Sequence, residues 1–373
     1  MQLTRRNFLT SLAAGSLGTA ASLMPSPLHA APPAAPAGSL LPTALGIDNF
    51  AVRAFGWKAP ELIAYAESLQ LDTLFLSDIE CLPSLESAAL RDVKAQADSA
   101  GLALYIGSWS ICPTSTRFKP TWGTAEEHLR TGIRVSKALG SPVFRVILGT
   151  MDDRKTPGGI KARMEDTIKV LKDCRGDAMD AGIKIAIENH AGDMHSWELI
   201  ELIERAGPEF VGVNIDSGNA AWTLEDPTDL LERLGPYTIC SSLRDDMIWS
   251  TPEGASIQWT AIGEGLIDWS RYMDRWRALC PNVPFQIETI SGFARQFPYK
   301  TDAFWEHYDR NPEALAKFET LAAQGHAVEP FKAAGGLDKK EAEKAFQKAE
   351  LERSVTYCRK VLGLGRRDPK PGV

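Results

Sequence analysis

The chain has 373 residues, of which 44% are hydrophobic and 24% carry a charge, a composition typical of a globular protein with a sizeable buried core. Its 41 lysines and arginines stand against 48 aspartates and glutamates, which gives a formal net charge of −7. A protein of this charge lacks the excess of cations that binding to nucleic-acid phosphates requires, so nucleic acid is not an expected partner.

Residues 1–30 have the pattern of an export signal. The pair Arg5-Arg6 precedes a weakly apolar stretch from Phe8 to Met24, and small residues follow as far as Ala30. This order is typical of a twin-arginine signal peptide. The alternative is an N-terminal anchor helix, which the glycine and serine residues within the stretch disfavour. We therefore predict export to the periplasm, a flexible leader over residues 31–42, and no stable membrane span after removal of the signal.

From residue 43 onward, short β-rich runs alternate with amphipathic helical stretches. The eight runs are Ala44–Ile47, Thr73–Leu76, Leu102–Ile106, Val143–Leu148, Ile183–Ile187, Val211–Ile215, Tyr237–Leu243 and Phe285–Ile287. Eight strands alternating with helices predict an α/β fold, a (β/α)8 TIM barrel over residues 43–292. The alternative is a doubly wound open sheet, although no Gly-x-Gly-x-x-Gly turn of the dinucleotide-binding kind follows the first run.

Two further segments exceed what a minimal barrel needs. Residues 293–373 have apolar positions spaced along one helix face, which predicts a helical C-terminal extension that packs on the barrel. The connection from Asp246 to Glu264 is long for a barrel loop. We expect this loop to shape the pocket, since long loops on the active face of a barrel usually form a lid or a wall.

Three predicted strands end in an acidic residue where the apolar run gives way to a loop, namely Glu188, Asp216 and Glu288. In a TIM barrel the carboxyl ends of all strands meet at one face, so these acids are expected to converge. Burial of three carboxylates is costly unless a cation neutralises them, which predicts a divalent metal ion. The alternative is a hydrogen-bonded ionic cluster that closes the mouth of the barrel.

Several motifs, in this order and spacing, resemble the sugar-phosphate isomerase/epimerase superfamily of xylose-isomerase-like barrels. They are Ile187–His190, Asn214–Asn219, Leu243–Asp245, Ile262–Gly265 followed by Asp268-Trp269, and the strand that ends at Glu288. The resemblance covers most of residues 43–292. It implies that Glu188, Asp216 and Glu288 bind a divalent metal together with a histidine on strand seven.

This chain departs from the family pattern at that histidine, because Ser242 stands where it is expected. A hydroxyl is a weaker ligand than imidazole. Either a water or substrate oxygen completes the coordination, or Gln258, His190 or His195 reaches in, or the metal is lost. Carboxylate ligands without sulfur favour Mn²⁺ or Mg²⁺, with Co²⁺, Zn²⁺ or Ca²⁺ as alternatives.

Further residues near the predicted strand ends are candidates for substrate contacts. Trp109 and Trp259 are expected either to cap the core or to stack on a sugar ring, and Arg244 either to pair with Asp245 or to hold a substrate oxygen. His190 and His195 are interpreted either as ligands or bases, or as loop residues that orient Glu188. Asn219 replaces a histidine of the family's relatives and completes the candidate set.

The resemblance implies proton transfer beside a carbonyl group of a small carbohydrate, with Glu188 and Glu288 as catalytic groups on opposite faces of the substrate. Such a site supports isomerisation, epimerisation or, on a 3-keto-glycoside, elimination of the leaving group by a lyase. The alternative is a non-catalytic sugar-binding barrel without metal. An endonuclease is disfavoured, since a histidine-rich metal cluster is not expected from six histidines in the chain. Assembly into a homo-oligomer stays open.

Overall fold

The computed structural model describes residues 42–334, 336 and 338–367, so the predicted signal peptide and nearly all of the leader lie outside the described residues. The strands are β1 (Leu45–Asp48), β2 (Thr73–Leu76), β3 (Ala103–Ser110), β4 (Val143–Ile147), β5 (Lys184–Glu188), β6 (Val211–Ile215), β7 (Thr238–Ser241), β8 (Asp245–Thr251), β9 (Gly254–Thr260), β10 (Phe285–Ile287) and β11 (Ala294–Phe297). The α-helices are α1 (Ala59–Ser68), α2 (Ser87–Ser99), α3 (Ala125–Leu139), α4 (Gly159–Asp173), α5 (Arg175–Ala181), α6 (Ser196–Ala206), α7 (Pro227–Leu234), α8 (Trp269–Leu279), α9 (Asp302–Trp305), α10 (Pro312–Ala322) and α11 (Lys339–Lys360).

Eight of these strands form a parallel sheet in the order β10-β1-β2-β3-β4-β5-β6-β7, which confirms the predicted TIM barrel. The barrel closes where Leu243, just beyond β7, pairs with Ile287 of β10. Two backbone hydrogen bonds make this seam, from the Leu243 N–H to the Gln286 carbonyl at 2.7 Å and from the Glu288 N–H to the Leu243 carbonyl at 2.9 Å. Closure rules out the open sheet, and all eight predicted strands belong to the barrel.

Helix α3 shows how local sequence places the outer helices. Thr124 caps its first turn, because its hydroxyl oxygen accepts a hydrogen bond from the Glu127 N–H. The Glu127 carboxylate in turn accepts one from the Thr124 N–H. The helix stops at Gly140, which has the left-handed φ of 74°. At Gly132 an added Cβ would lie 2.0 Å from the ring of Phe144 on β4, so this helix lies against the barrel at a distance that only glycine permits.

The segment predicted as a long loop after the seventh barrel strand is instead a β-hairpin. Strands β8 and β9 pair antiparallel across a two-residue turn, with Thr251 opposite Gly254, and β11 adds a third strand to β9. An added Cβ at Gly254 would lie 2.0 Å from the Phe297 carbonyl oxygen, so glycine lets the third strand approach. The stretch from Gly254 to Thr260 contains Ile257, Trp259 and Thr260, residue types that favour strands, and the loop prediction overlooked this signal.

Helix α11, from the C-terminal extension, lies where the eighth barrel helix is expected. In the middle of the helix, Gln347 accepts from the Ala54 N–H at 2.9 Å. At its C-terminal end, the Arg359 guanidinium donates to the Leu69 carbonyl after α1, and Arg277 of α8 donates to the Leu362 carbonyl. The helix therefore fills the gap between α8 and α1. Among the described residues, we find no helix that is both long and apolar enough to cross a membrane.

Glu350 on α11 is expected to make stability depend on pH. Burial raises the pKa of its carboxyl group from 4.5 to about 7. Between these values the folded protein keeps a proton that the unfolded chain has lost, so the free energy of unfolding falls as the pH rises from 4.5 to about 7. The whole shift corresponds to at most about 3 kcal/mol, at about 1.4 kcal/mol per unit of pKa.

The variant Glu350→Gln keeps the hydrogen bond from Ser291 and removes the ionisation. We expect urea denaturation to show a variant that is more stable than the wild type at about pH 8 and equal to it at about pH 4. An equal difference at both pH values would contradict the prediction.

Candidate functional site

Three acidic side chains converge at the carboxyl ends of the barrel strands. Glu188 ends β5, Asp216 directly follows β6, and Glu288 directly follows β10. All three are buried, and one carboxylate oxygen from each lies within 4.8 Å of the others. We call these three residues the carboxylate triad.

The loop after β6 fixes the orientation of Asp216. Its Oδ1 accepts from the N–H groups of Gly218 at 2.9 Å and Asn219 at 3.1 Å. The Asn219 side-chain amide donates to Oδ2 at 2.7 Å. Because the backbone holds Oδ1, Oδ2 is the oxygen of Asp216 that remains for partners across the barrel.

Two buried arginines supply positive charge to the triad. The Arg145 Nε atom on β4 lies 2.8 Å from Glu188 Oε2, and its Nη1 donates to the Ser108 carbonyl at 2.9 Å. The Arg244 Nη2 atom donates to both Asp216 Oδ2 and Glu288 Oε2. Arg244 thus pairs with two members of the triad and not with its sequence neighbour Asp245.

Burial raises the pKa of Glu188, Asp216 and Glu288 above the ordinary values, while the charges of Arg145 and Arg244 oppose this rise. Asp48, at the end of β1, lies beside them. Burial and the charge of Glu288 raise the pKa of Asp48 from 3.8 to about 7. The site thus holds four carboxyl groups with a raised affinity for protons, a property expected of groups that exchange protons with a substrate.

Two members of the triad, Glu188 and Glu288, line a cavity of about 200 Å³. Trp109 and Trp259 line this cavity, and so do the guanidinium groups of Arg145 and Arg244. The Trp259 indole is held by a bond from Nε1 to the Gly218 carbonyl at 2.9 Å and by stacking on Trp222 at 4.7 Å. Trp259 therefore presents a fixed apolar face beside the charged side chains of the cavity.

A second cavity of about 240 Å³ adjoins the first, and the two share Trp109 as a wall. Arg117, Arg295 and Trp222 are among the residues that line it. The Arg295 guanidinium lies over the Trp222 ring at 4.8 Å from its centre. The second cavity therefore presents two guanidinium groups and an indole ring to a ligand.

The other predicted site residues separate into those at the cavity and those outside it. Ser242 lies at the triad, where Asn214 donates to its Oγ at 3.2 Å and to Glu188 Oε2 at 3.0 Å. Asn219 and His190 line the cavity. The His190 Nδ1 lies 2.6 Å from the Gly149 carbonyl oxygen, and burial lowers the pKa of His190 to about 3, so this ring is neutral.

Two predicted residues do not line the triad cavity. His195 is buried at the start of α6, where it stacks on Trp197 at 4.2 Å and lies 3.6 Å from a carboxylate oxygen of Glu225. Gln258 lies on β9 of the hairpin, opposite Met247. Neither side chain is among those that line the cavity, so the structure does not bring them to the triad.

Two residues at the site were not predicted from the sequence, and both left a signal there. Arg145 interrupts the apolar strand Val143–Ile147, where a charged residue needs a buried partner. Asp48 ends the first strand in the same way that Glu188, Asp216 and Glu288 end theirs.

The donor atoms of the triad fit a divalent ion in spacing and in chemistry. Three carboxylates within 4.8 Å of one another are suited to Mn²⁺ or Mg²⁺, with the Ser242 hydroxyl beside them. The same structure gives two of these carboxylates a bond to Arg244.

Comparisons with known proteins agree with the fold. Among solved structures, the chain is similar to a D-psicose 3-epimerase of Clostridium cellulolyticum H10 with D-tagatose (TM-score 0.53, 14% identity, covering 83% of this chain and 98% of that one). It is also similar to an L-ribulose 3-epimerase (TM-score 0.52, 16% identity, covering 88% of this chain and 100% of that one). A third similar structure is the IolI protein with a bound zinc atom (TM-score 0.53, 14% identity, covering 76% of this chain and 100% of that one). At these identities the likeness shows the fold alone.

No curated protein matches the chain in sequence. The family model described as xylose isomerase-like TIM barrel, however, matches residues 51–292, more than half of the chain. That stretch includes the triad and the barrel strands from β2 to β10. The chain therefore belongs to the xylose isomerase-like TIM barrel family.

Proposed function

We propose that this protein is a carbohydrate isomerase or epimerase that moves a proton beside a carbonyl group of a sugar. One observation carries the proposal: two buried carboxylates with raised pKa, Glu188 and Glu288, face a single small cavity that two arginines also line. The epimerase neighbours among solved structures support the choice of a sugar.

The roles of the residues follow from their positions. Glu188 and Glu288 come from β5 and β10, which are not neighbours in the barrel, so each takes or returns a proton from its own side of a bound substrate. Arg145 and Arg244 balance the negative charge that develops on the carbonyl oxygen. Trp109 and Trp259 pack against the apolar faces of the sugar ring and exclude water.

The divalent metal that the sequence predicted is a separate part of the proposal, because the proton transfer described above uses the side chains alone and an ion would have to displace Arg244 from the triad. Glu188, Asp216 and Glu288 would hold the ion, with Mn²⁺ or Mg²⁺ favoured by the oxygen ligands. When bound, the ion would polarise the carbonyl group of the substrate. We further propose, from the arginine pair at its N-terminus, that the protein acts in the periplasm after twin-arginine export.

A second candidate function is a lyase that eliminates the leaving group of a 3-keto-glycoside. The adjoining cavity favours it, because a glycoside needs room for a second group beyond the sugar on the triad. Proton abstraction by Glu188 or Glu288 is common to both reactions. In the lyase, however, the electrons released from the C–H bond expel the glycosidic oxygen, so the alcohol leaves and an unsaturated keto sugar forms.

Incubation in D₂O with a panel of ketoses, aldoses and 3-keto-glycosides tests the proposal. We expect deuterium to enter one sugar of the panel beside its carbonyl group, as measured by NMR and mass spectrometry. Conversion into an isomer supports the isomerase or epimerase, and release of an alcohol supports the lyase. A sugar that binds in calorimetry but takes up no deuterium would instead indicate the sugar-binding barrel and contradict the proposal.

A further inference from the structure

The positive charge at the centre of the carboxylate triad belongs to an arginine in this structure. The Arg244 Nη2 atom donates to Asp216 Oδ2 and Glu288 Oε2 together. Because two backbone N–H groups already hold Asp216 Oδ1, a metal would need the same Oδ2 atom that Arg244 binds. A metal cation bound between Asp216 and Glu288 would therefore compete with the Arg244 guanidinium for Asp216 Oδ2.

Arg244 is held in this position by its surroundings. Its Cζ atom lies 4.4 Å from the centre of the Trp259 ring. On another side, an added Cβ at Gly218 would lie 2.3 Å from the Arg244 Cγ, so glycine makes room for the side chain. The Arg244 N–H also donates to Ser217 Oγ at 3.1 Å, which fixes the backbone. These contacts argue for a built site and not for a side chain that lies across the triad by chance.

The Arg244 guanidinium also has hydrogen-bond donors without a partner among the described residues. Its Nε and Nη1 atoms are buried and find no partner among the described residues, although Arg244 lines the cavity. Buried donors in native proteins are nearly always satisfied, so unpartnered ones beside a cavity point to a ligand with acceptor oxygens. A sugar carbonyl with its adjacent hydroxyl offers such oxygens.

We infer that Arg244 supplies the positive charge between Asp216 and Glu288, and that a divalent metal binds the triad well only when Arg244 is removed. The unpartnered N–H groups of Arg244 then donate hydrogen bonds to oxygens of the substrate. This role rests on the proposed function. The competition between Arg244 and a metal does not rest on it.

Titration with Mn²⁺ tests the competition without a substrate. Free Mn²⁺ is measured by electron paramagnetic resonance for the wild type, Arg244→Leu and Arg244→Lys. We expect the wild type and Arg244→Lys to bind Mn²⁺ weakly, and Arg244→Leu to bind a single ion at least about tenfold more tightly. The unfolding temperature of Arg244→Leu should rise more with excess MnCl₂ than that of the wild type.

A matched control comes from another buried ion pair, Arg154 with Glu198. The variant Arg154→Leu also leaves a buried carboxylate without its partner, but we expect no gain in Mn²⁺ affinity because no acidic triad lies there. Tight binding of Mn²⁺ by the wild type, or equal affinity in the wild type and Arg244→Leu, would overturn the inference. If Arg244→Leu does not fold, the wild-type titration alone decides, since tight binding beside an intact Arg244 is the excluded result.

The Mn²⁺ titration tests the competition with Arg244 independently of whether the protein converts a sugar. Metal affinity is read without turnover, so a protein that converts no sugar can still show the competition. Conversely, a protein that converts a sugar only with tightly bound Mn²⁺ would uphold the proposed function and reject the role of Arg244.

Discussion

Replacement of Glu188 or Glu288 by glutamine is expected to lower the conversion of the substrate by about 10²–10⁴-fold, the usual contribution of a positioned acid or base. Glutamine keeps the size and the hydrogen-bonding oxygen of each side chain and removes its ability to take a proton. Conversion needs both groups if they work from opposite sides of the sugar. Exchange of the substrate proton with D₂O needs only one, so each single variant should still exchange deuterium and the double variant should not.

The control for this experiment is Glu198→Gln. Glu198 is also a buried carboxylate paired with an arginine, Arg154, but it does not line the triad cavity. We expect that variant to lose stability and to keep its rate of conversion, with unfolding temperatures measured for all variants. Conversion by both Glu188→Gln and Glu288→Gln within a few-fold of the wild type would place the chemistry elsewhere.

Removal of the Asp245 carboxylate is expected to destabilise the fold by about 4 kcal/mol, because each buried donor left without a partner costs roughly 1–3 kcal/mol. Asp245 is buried and accepts four hydrogen bonds, at 2.7 to 3.1 Å. Three come from backbone N–H groups, those of Asp246, Gly263 and Ile267, and the fourth from the Trp269 indole. The side chain therefore ties the hairpin β8–β9 to the start of α8.

Urea denaturation of Asp245→Ala measures this loss, with Asp245→Asn as a smaller change that keeps one acceptor oxygen. Asp152→Ala serves as the surface control, since Asp152 is exposed and makes one ion pair, with Arg117 at 3.2 Å. That change should alter stability by less than about 1 kcal/mol. Equal destabilisation by Asp245→Ala and Asp152→Ala would show that the four bonds do not hold the hairpin.

The barrel was predictable because its strands are short, apolar runs bounded by loop residues, a local signal that tertiary packing does not override. Glu188, Asp216 and Glu288 were predictable as a group for a related reason, since parallel strands bring their carboxyl ends to one face. The hairpin β8–β9 was not recognised, because the turn at residues 252 and 253 lacks the Asn-Gly or Asp-Gly signal of a tight hairpin.

The charge balance of the site could not be predicted from strand ends alone. Arg145 lies inside a strand, and which acid it contacts depends on the register between β4 and β5, where Arg145 is opposite Ala186. Arg244 reaches two acids on different strands, a contact that exists only once the barrel closes. His195 looked like a site residue because it follows Glu188 closely in sequence, but the chain turns away from the cavity before reaching it.

The seam between β7 and β10 has a consequence for how the site fluctuates. The two sides of the seam are joined by a backbone hydrogen bond between Glu288 and Leu243. Arg244, the residue after Leu243, also forms an ion pair with the Glu288 side chain across the seam. Breathing motions that part the strands at this point therefore also pull the guanidinium from the carboxylate. Opening of the barrel at this seam and loss of the Arg244–Glu288 ion pair are therefore coupled, so a change that weakens one also weakens the other.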